Sequence, residues 1–137
     1  APAAIDTSAG RIGIMICFDW FFPEVARTLA LDGAQIIAHP SNLVLPWCQR
    51  AMFARSVENH VYTITANRTG TENRAGREMR FTGQSQILGV QGELLAQAGD
   101  TSESVGIATI DPAQADLKQV NPWNHLVNSR RPDLYRL

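Results

Sequence analysis

The residue best suited to chemistry is Cys17, which ends a run of apolar residues that begins at Ile12. A short apolar run with three isoleucines predicts a strand over residues 11–17 that is buried on both faces. Pro23 then begins a helical pattern, with apolar residues three and four positions apart, which ends at the capping residue Gly33. A thiol between a strand end and a helix start is in a position to act as a nucleophile. The alternative is a buried cysteine that only fills space.

The rest of the chain predicts an α/β fold in a single domain over residues 1–137. Strands and helices alternate in the first half, as they do in a sheet whose helices are crossovers. The predicted elements after the first helix are a strand at 35–38, a helix at 46–60, a strand at 61–66, an exposed loop at 67–82, strands at 84–90, 94–97 and 105–110, a short helix from 112 and a tail at 121–137.

Composition excludes several classes of function. The net charge is −1 with no basic run, which argues against nucleic-acid binding. No apolar run approaches the roughly 18 residues of a transmembrane helix, so no membrane partner is predicted. The two cysteines, Cys17 and Cys48, give neither a disulfide framework nor a zinc spacing, and no metal or other cofactor is implied. Free thiols favour a reducing compartment, and we expect a cytoplasmic protein.

The stretch from Gly13 to Asp19, followed by Pro23-Glu24, resembles the nucleophile region of the nitrilase superfamily, the carbon–nitrogen hydrolases. Later segments resemble further parts of the family in the same order, at 33–42, 55–59, 64–70, 83–87 and 130–135. The resemblance implies that the mixed sheet, with helices on one face, is half of a four-layer αββα sandwich.

The resemblance also implies a reaction, the hydrolysis of a non-peptide carbon–nitrogen bond through a thioester. The nucleophile is then Cys17, and the backbone N–H of Phe18 stabilises the oxyanion. Supporting or substrate-facing roles fall to Asp19, Trp20, Glu24 and Asn42. The order Cys17-Phe18-Asp19 is closer to the amidase and carbamoyl-amide branches than to typical nitrilases. The implied partners are a small-molecule amide or nitrile and further copies of the chain, in a homodimer or larger homo-oligomer.

The family also uses a glutamate and a lysine that precede the cysteine, and residues 1–16 contain neither. The chain therefore resembles the C-terminal half of the domain, and alone we expect it to be inactive. Its single lysine, Lys118, is predicted to be a solvated surface residue. Two other hypotheses remain open: a cysteine–histidine amidotransferase-like enzyme that uses His39 or His60, and a catalytically silent interaction module.

Two further predictions concern the remaining apolar surface and the second thiol. The helix at 47–60 and the tail at 123–135 carry apolar residues that have no obvious internal partner, so we expect Arg130 and Arg131 near a subunit contact. The second thiol, on a helix, is predicted to be inert.

Overall fold

A six-stranded mixed sheet forms the centre of the computed structural model, which describes residues 2–135. The strands in chain order are β1 (Ile5–Thr7), β2 (Gly10–Ile14), β3 (Ile36–Ser41), β4 (Tyr62–Asn67), β5 (Thr71–Arg74), β6 (Arg77–Arg80), β7 (Gln86–Leu88), β8 (Leu94–Gln97), β9 (Gln119–Asn121) and β10 (Asn124–His125). The central sheet has the order β1-β2-β3-β4-β7-β8. Its middle three strands are parallel and its outer pairings are antiparallel. The carboxyl ends of β2, β3 and β4 therefore share one edge.

Two helices connect these parallel strands and lie on one face of the sheet. They are α1 (Pro23–Leu31) and α2 (Cys48–Asn59). As predicted, α1 begins with proline in its first turn, and Gly33 follows its end with φ +87°. The Gly33 N–H donates to the carbonyl of Ala30 at 3.1 Å, which satisfies a carbonyl at the helix end.

The main core lies between these helices and the sheet. Its largest fully buried apolar side chains are Met15, Leu29, Ile37, Met52 and Val61. Each such side chain stabilises the fold by about 1.5–3 kcal/mol relative to exposure. Gly13 on β2 permits the close approach of α1, because a Cβ there would lie 3.1 Å from the side chain of Leu29.

The second face of the sheet is covered only in part. Near the amino ends of the parallel strands, Ile36 and Tyr62 pack with Ala115. Towards the opposite edge, Ile14 is 49% exposed and Ile16 is 62% exposed. The prediction that the first strand is buried on both faces is therefore wrong for this chain. Its residues alternate instead, because the segment containing Ala115 crosses only one end of this face.

Three other predicted elements differ from the structure. The strand predicted over residues 11–17 is β2, which ends at Ile14 and not at residue 17. The predicted loop at 67–82 contains the hairpin of β5 and β6, which is polar on both faces and so lacks the apolar alternation of a half-buried strand. The predicted strand at 105–110 is not formed: Val105 and Ile107 are largely exposed, and the segment pairs with no strand among residues 2–135, although Gly106 lies beside Ala96 of β8.

The short helix after Asp111 is present as a single 3-10 segment, Pro112–Asp116. Asp111 caps it, since its carboxylate accepts a hydrogen bond from the N–H of Ala113 at 3.0 Å. The predicted tail contains β9, β10 and a 3-10 turn over Pro132–Leu134. Residues 1, 136 and 137 of the predicted domain and tail lie outside the described residues.

Candidate active site

Cys17 lies at a sharp turn between β2 and α1. It begins a 3-10 segment, Cys17–Phe21, and its φ is +46°. This left-handed conformation is uncommon for a residue with a Cβ and costs roughly 1–2 kcal/mol. The side chain is half-buried, at the edge where the parallel strands end. Strain of this kind persists only where neighbouring contacts hold it, and it is frequent at functional sites.

Asp19 holds one side of this turn. Its carboxylate accepts a hydrogen bond from the N–H of Ile16 at 2.8 Å, and its own N–H donates to the carbonyl of Ile16 at 3.0 Å. The two bonds close a reciprocal cap at the start of the 3-10 segment. The structure therefore shows a bracing contact for Asp19, which the sequence placed in a supporting or substrate-facing role.

His39 holds the other side. Its ring is 1% exposed, and Nε2 lies 2.8 Å from the backbone oxygen of Cys17. Nδ1 lies 3.2 Å from the hydroxyl oxygen of Thr65. Burial lowers the pKa of His39, against the opposing effects of the Cys17 carbonyl and the charge of Asp19. These contacts place the ring on the backbone of Cys17, which gives no support to the hypothesis that His39 is its general base.

The aromatic residues after the cysteine divide between core and surface. Trp20 is buried and belongs to the main core. Phe18 is 51% exposed and stacks on Phe21 with ring centroids 5.2 Å apart. Phe21 and Phe22, both half-exposed, were not selected from the sequence. The N–H of Phe18 has no acceptor among residues 2–135, which leaves this donor free beside Cys17.

The other two candidate site residues are Asn42 and Glu24. Asn42 is exposed and follows β3 directly, so it lies at the same sheet edge as Cys17. Glu24 is exposed in the first turn of α1, where a carboxylate suits the helix dipole. No hydrogen bond from its side chain to the Cys17 turn is present within the described chain.

Asn67 organises the loop beyond β3, and sequence reasoning gave it no role. Its Oδ1 accepts from the N–H of Leu43 at 2.8 Å. Its Nδ2 donates to the hydroxyl of Thr82 at 3.0 Å and to the carbonyl of Gly83 at 2.7 Å. The available signal was its position at the end of β4, beside the end of β3. Its bonds join two loops at the active-site edge.

Comparisons with known proteins agree with this geometry. A family model for carbon-nitrogen hydrolases matches residues 2–118. The chain belongs to the carbon-nitrogen hydrolase family.

Individual relatives point the same way. The chain is 50% identical over 125 residues to a nitrilase of Pyrococcus abyssi, covering 91% of this chain and 46% of that protein. It is 34% identical over 149 residues to an N-carbamoylputrescine amidase of Solanum tuberosum, covering 96% of this chain and 48% of the relative. The crystal structure of a carbon-nitrogen hydrolase from Helicobacter pylori G27 superimposes with a TM-score of 0.87 at 30% identity. That match covers 98% of this chain and 51% of the other, and it confirms the predicted α/β fold.

A second solved structure concerns the cysteine. A mutant of the amidase from Nesterenkonia sp. AN1, which shows acrylamide added at its active-site cysteine, has a TM-score of 0.71 at 25% identity. It covers 86% of this chain and 46% of that one. The chain thus spans about half the length of the relatives it matches.

Lys118 and His60 lie at the opposite end of this carbon-nitrogen hydrolase fold from Cys17. The ammonium of Lys118 donates to the carbonyls of Asn59 at 2.8 Å and His60 at 2.9 Å, which end α2 just before β4 begins. Burial lowers the pKa of Lys118 to about 8. The prediction of a solvated surface lysine is wrong, because this side chain caps a helix. Neither residue is near the carboxyl ends of the parallel strands.

The remaining functional predictions concern Cys48, bound metal ions and membrane insertion. Cys48 is fully buried, and burial raises the pKa of its thiol to about 12. Within residues 2–135, no group of three or more histidine, cysteine or acidic side chains is arranged to hold a metal ion. No helix in the same part of the chain has the length and apolar character needed to cross a bilayer.

Proposed function

We propose that this chain carries the nucleophile of a hydrolase that cleaves a carbon–nitrogen bond of a small amide, carbamoyl amide or nitrile. The observation that carries the proposal is the turn at Cys17. A strained, half-buried cysteine lies at the end of the parallel strands, next to the free N–H of Phe18. A nucleophile and an oxyanion donor on adjacent residues are the two groups that acyl transfer needs first.

For an amide, the Cys17 thiolate attacks the carbonyl carbon and forms a C–S bond, while the carbonyl π electrons move to oxygen. The Phe18 N–H donates to this oxyanion. Collapse of the tetrahedral intermediate expels the amine, which takes up a proton, and leaves a thioester on Cys17. Water then attacks the thioester, releasing the carboxylic acid and restoring the thiol.

The base and the proton donor are proposed to lie in the part of the enzyme that this chain does not include. In the resembled family these are a glutamate and a lysine, and residues 1–16 contain neither. The exposed face around Ile14 and Ile16 suits a second apolar layer, as a sandwich requires. We therefore propose that the chain is the C-terminal half of a four-layer domain.

The choice among substrates is narrowed by the residues after the cysteine. The order Cys17-Phe18-Asp19 favours the amidase and carbamoyl-amide branches. The amidases from potato and from Nesterenkonia support this choice, whereas the more similar Pyrococcus protein is named a nitrilase. Primary amides and N-carbamoyl amines are accordingly the first substrates to test, with nitriles as the comparison.

We also propose a cytoplasmic homo-oligomer. The free thiols suit a reducing compartment. Trp47, just before α2, and Phe53, on α2, are more than half exposed. Arg130 lines a surface cleft with Arg27 and Tyr135 beside α1. Light scattering of the full-length protein at micromolar concentration should give a dimer or larger species. A monomer would contradict this part of the proposal.

The activity is tested by ammonia release from the full-length protein that contains this chain. We expect turnover of at least one amide or carbamoyl amide, its loss in Cys17→Ala, and an acyl adduct on Cys17 by mass spectrometry. Cys48→Ala is the matched control and should keep the activity. The chain of 137 residues alone should be inactive and should gain activity when the missing part is supplied. Full activity of Cys17→Ala would refute the proposal.

A further inference from the structure

We propose that His39 is a positioning residue of the oxyanion site. By holding the carbonyl oxygen of Cys17, it fixes the direction of the Phe18 N–H, which is the other end of the same peptide group. This inference rests on the proposed function and adds a residue to it.

The geometry of a peptide bond makes the connection. The atoms of the Cys17–Phe18 peptide lie close to one plane, and in a trans peptide the C=O and the N–H point in opposite directions. No cis peptide bond occurs among the described residues. Rotation of this plane would swing both groups together. The contact of 2.8 Å between His39 Nε2 and the Cys17 oxygen fixes one end, so the N–H at the other end is fixed as well.

The hydrogen-bond partners assign the protons on the ring. A carbonyl oxygen can only accept, so Nε2 must carry a proton and donate to Cys17. In the neutral ring Nδ1 then accepts, and the Thr65 hydroxyl at 3.2 Å is the donor. The Ser41 hydroxyl lies 3.0 Å from Nε2 and 3.4 Å from the carbonyl of His39, to which it donates. Burial, which lowers the pKa of His39, favours this neutral form.

The left-handed backbone at Cys17 needs stabilising contacts on both sides, and His39 supplies one of them. Asp19 ties the backbone before the cysteine, through the N–H of Ile16, but does not reach the peptide after it. The left-handed φ of +46° at Cys17 persists only where neighbouring contacts hold the turn, and the bond from His39 is a contact on the peptide that follows the cysteine. A donated hydrogen bond on the carbonyl also polarises the peptide and strengthens its N–H as a donor.

Two reactions of Cys17 separate this role from a general structural one. p-Nitrophenyl acetate acylates the thiolate through a tetrahedral oxyanion: a C–S bond forms, and p-nitrophenolate leaves with the electrons of the broken ester bond. Iodoacetamide alkylates the same thiolate by direct displacement of iodide, and no oxyanion forms. A residue that aims the oxyanion donor affects the first reaction and not the second.

The variants are His39→Asn and His39→Gln in the full-length protein. The shorter amide reaches the position of Nδ1 and keeps the contact with Thr65, whereas the longer amide reaches the position of Nε2 and can still donate to Cys17. Since loss of a whole oxyanion donor costs about 10²–10³ in rate, we expect His39→Asn to slow acylation by about 10–100-fold. Alkylation should change less than about threefold, and His39→Gln, which keeps a donated hydrogen bond, should acylate within about tenfold of wild type.

Ser56→Ala is the control for loss of a buried side-chain hydrogen bond away from the ring, since the hydroxyl of Ser56 lies 3.0 Å from the hydroxyl of Thr63, and it should acylate at the wild-type rate. Background release is measured in Cys17→Ala, and circular dichroism checks the fold of each variant. Equal losses in both reactions, or no loss in His39→Asn, would overturn the inference. If His39→Asn does not fold, His39→Leu, which also lacks a donor at the Nε2 position, replaces it, and acylation no slower than in His39→Gln contradicts the proposed donor. A wild-type protein without Cys17-dependent acylation contradicts the proposed function itself.

Discussion

The two thiols of this chain should differ in reactivity by orders of magnitude, because Cys48 is buried and the pKa of its thiol is raised. Burial raises the pKa of its thiol from 9.0 to about 12, with a smaller contribution from the nearby Cys17 and opposition from Arg55. Only the thiolate reacts, so a rise of this size lowers the reactive fraction near neutral pH by about 10³. The side chain is also fully buried, which blocks the reagent directly.

The assay is timed alkylation of the full-length protein with iodoacetamide at pH 7.5, followed by peptide mapping. We expect Cys17 to be modified first. Cys48 should react at least about 10³ times more slowly than the same residue in denaturant, where its pKa is that of an ordinary thiol. Cys17→Ser provides the control, since it allows the reaction of Cys48 to be followed alone.

Two results would refute this reasoning. The first is labelling of Cys48 ahead of Cys17 in the folded protein. The second is a Cys48 rate in the folded protein within about tenfold of that in denaturant, since burial would then have little effect on its thiol. The first would also weaken the assignment of Cys17 as the accessible nucleophile.

Three further predictions concern the stability of the fold. Asp19→Ala should lower the free energy of unfolding in urea by about 1–2 kcal/mol, and Asp19→Asn, which keeps an acceptor, should recover most of it. Gly92→Ala should cost about 2–4 kcal/mol, since its φ is +84° and a Cβ would lie 2.3 Å from Phe53, whereas Gly70→Ala, at φ +85° with open space, should cost about 1 kcal/mol. Burial lowers the pKa of His39 below 6.5, so in mild acid only the unfolded chain takes up this proton, and the folded state loses stability as the pH falls. In urea titrations, the free energy of unfolding of His39→Gln should therefore decrease less than that of the wild type as the pH falls below 6.5.

The sequence predicts the local features of this site well. Each depends on neighbours along the chain: the apolar run before Cys17, the proline that opens α1, and Gly33, whose left-handed φ ends it. The hairpin of β5 and β6 depends on local sequence too. It was missed because neither face is buried, so its residues carry no apolar alternation.

Contacts between distant elements were not predictable in this way. His39 reaches Cys17 because β2 and β3 pair in parallel with Ile14 opposite Ala38, and a shift of one residue would turn the ring to the other face. Lys118 caps α2 across 58 residues or more. No sequence pattern shows that His39 contacts Cys17 or that Lys118 contacts the end of α2. His39 was therefore assigned only as an alternative base, and Lys118 was placed at the solvated surface.

The error about the first strand is informative for another reason. Three isoleucines before the cysteine predicted burial on both faces, yet Ile14 and Ile16 lie open in this chain. Their apolar area and the proposed active site occur at the same end of the sheet, so one covering layer would bury the isoleucines and enclose the site. Such a layer would remove about 1–3 kcal/mol of unfavourable exposure for each isoleucine, and it would exclude water from the oxyanion site, where hydrogen bonds are stronger in a low dielectric. On this argument the surface that completes the fold is also the surface that completes the catalytic site.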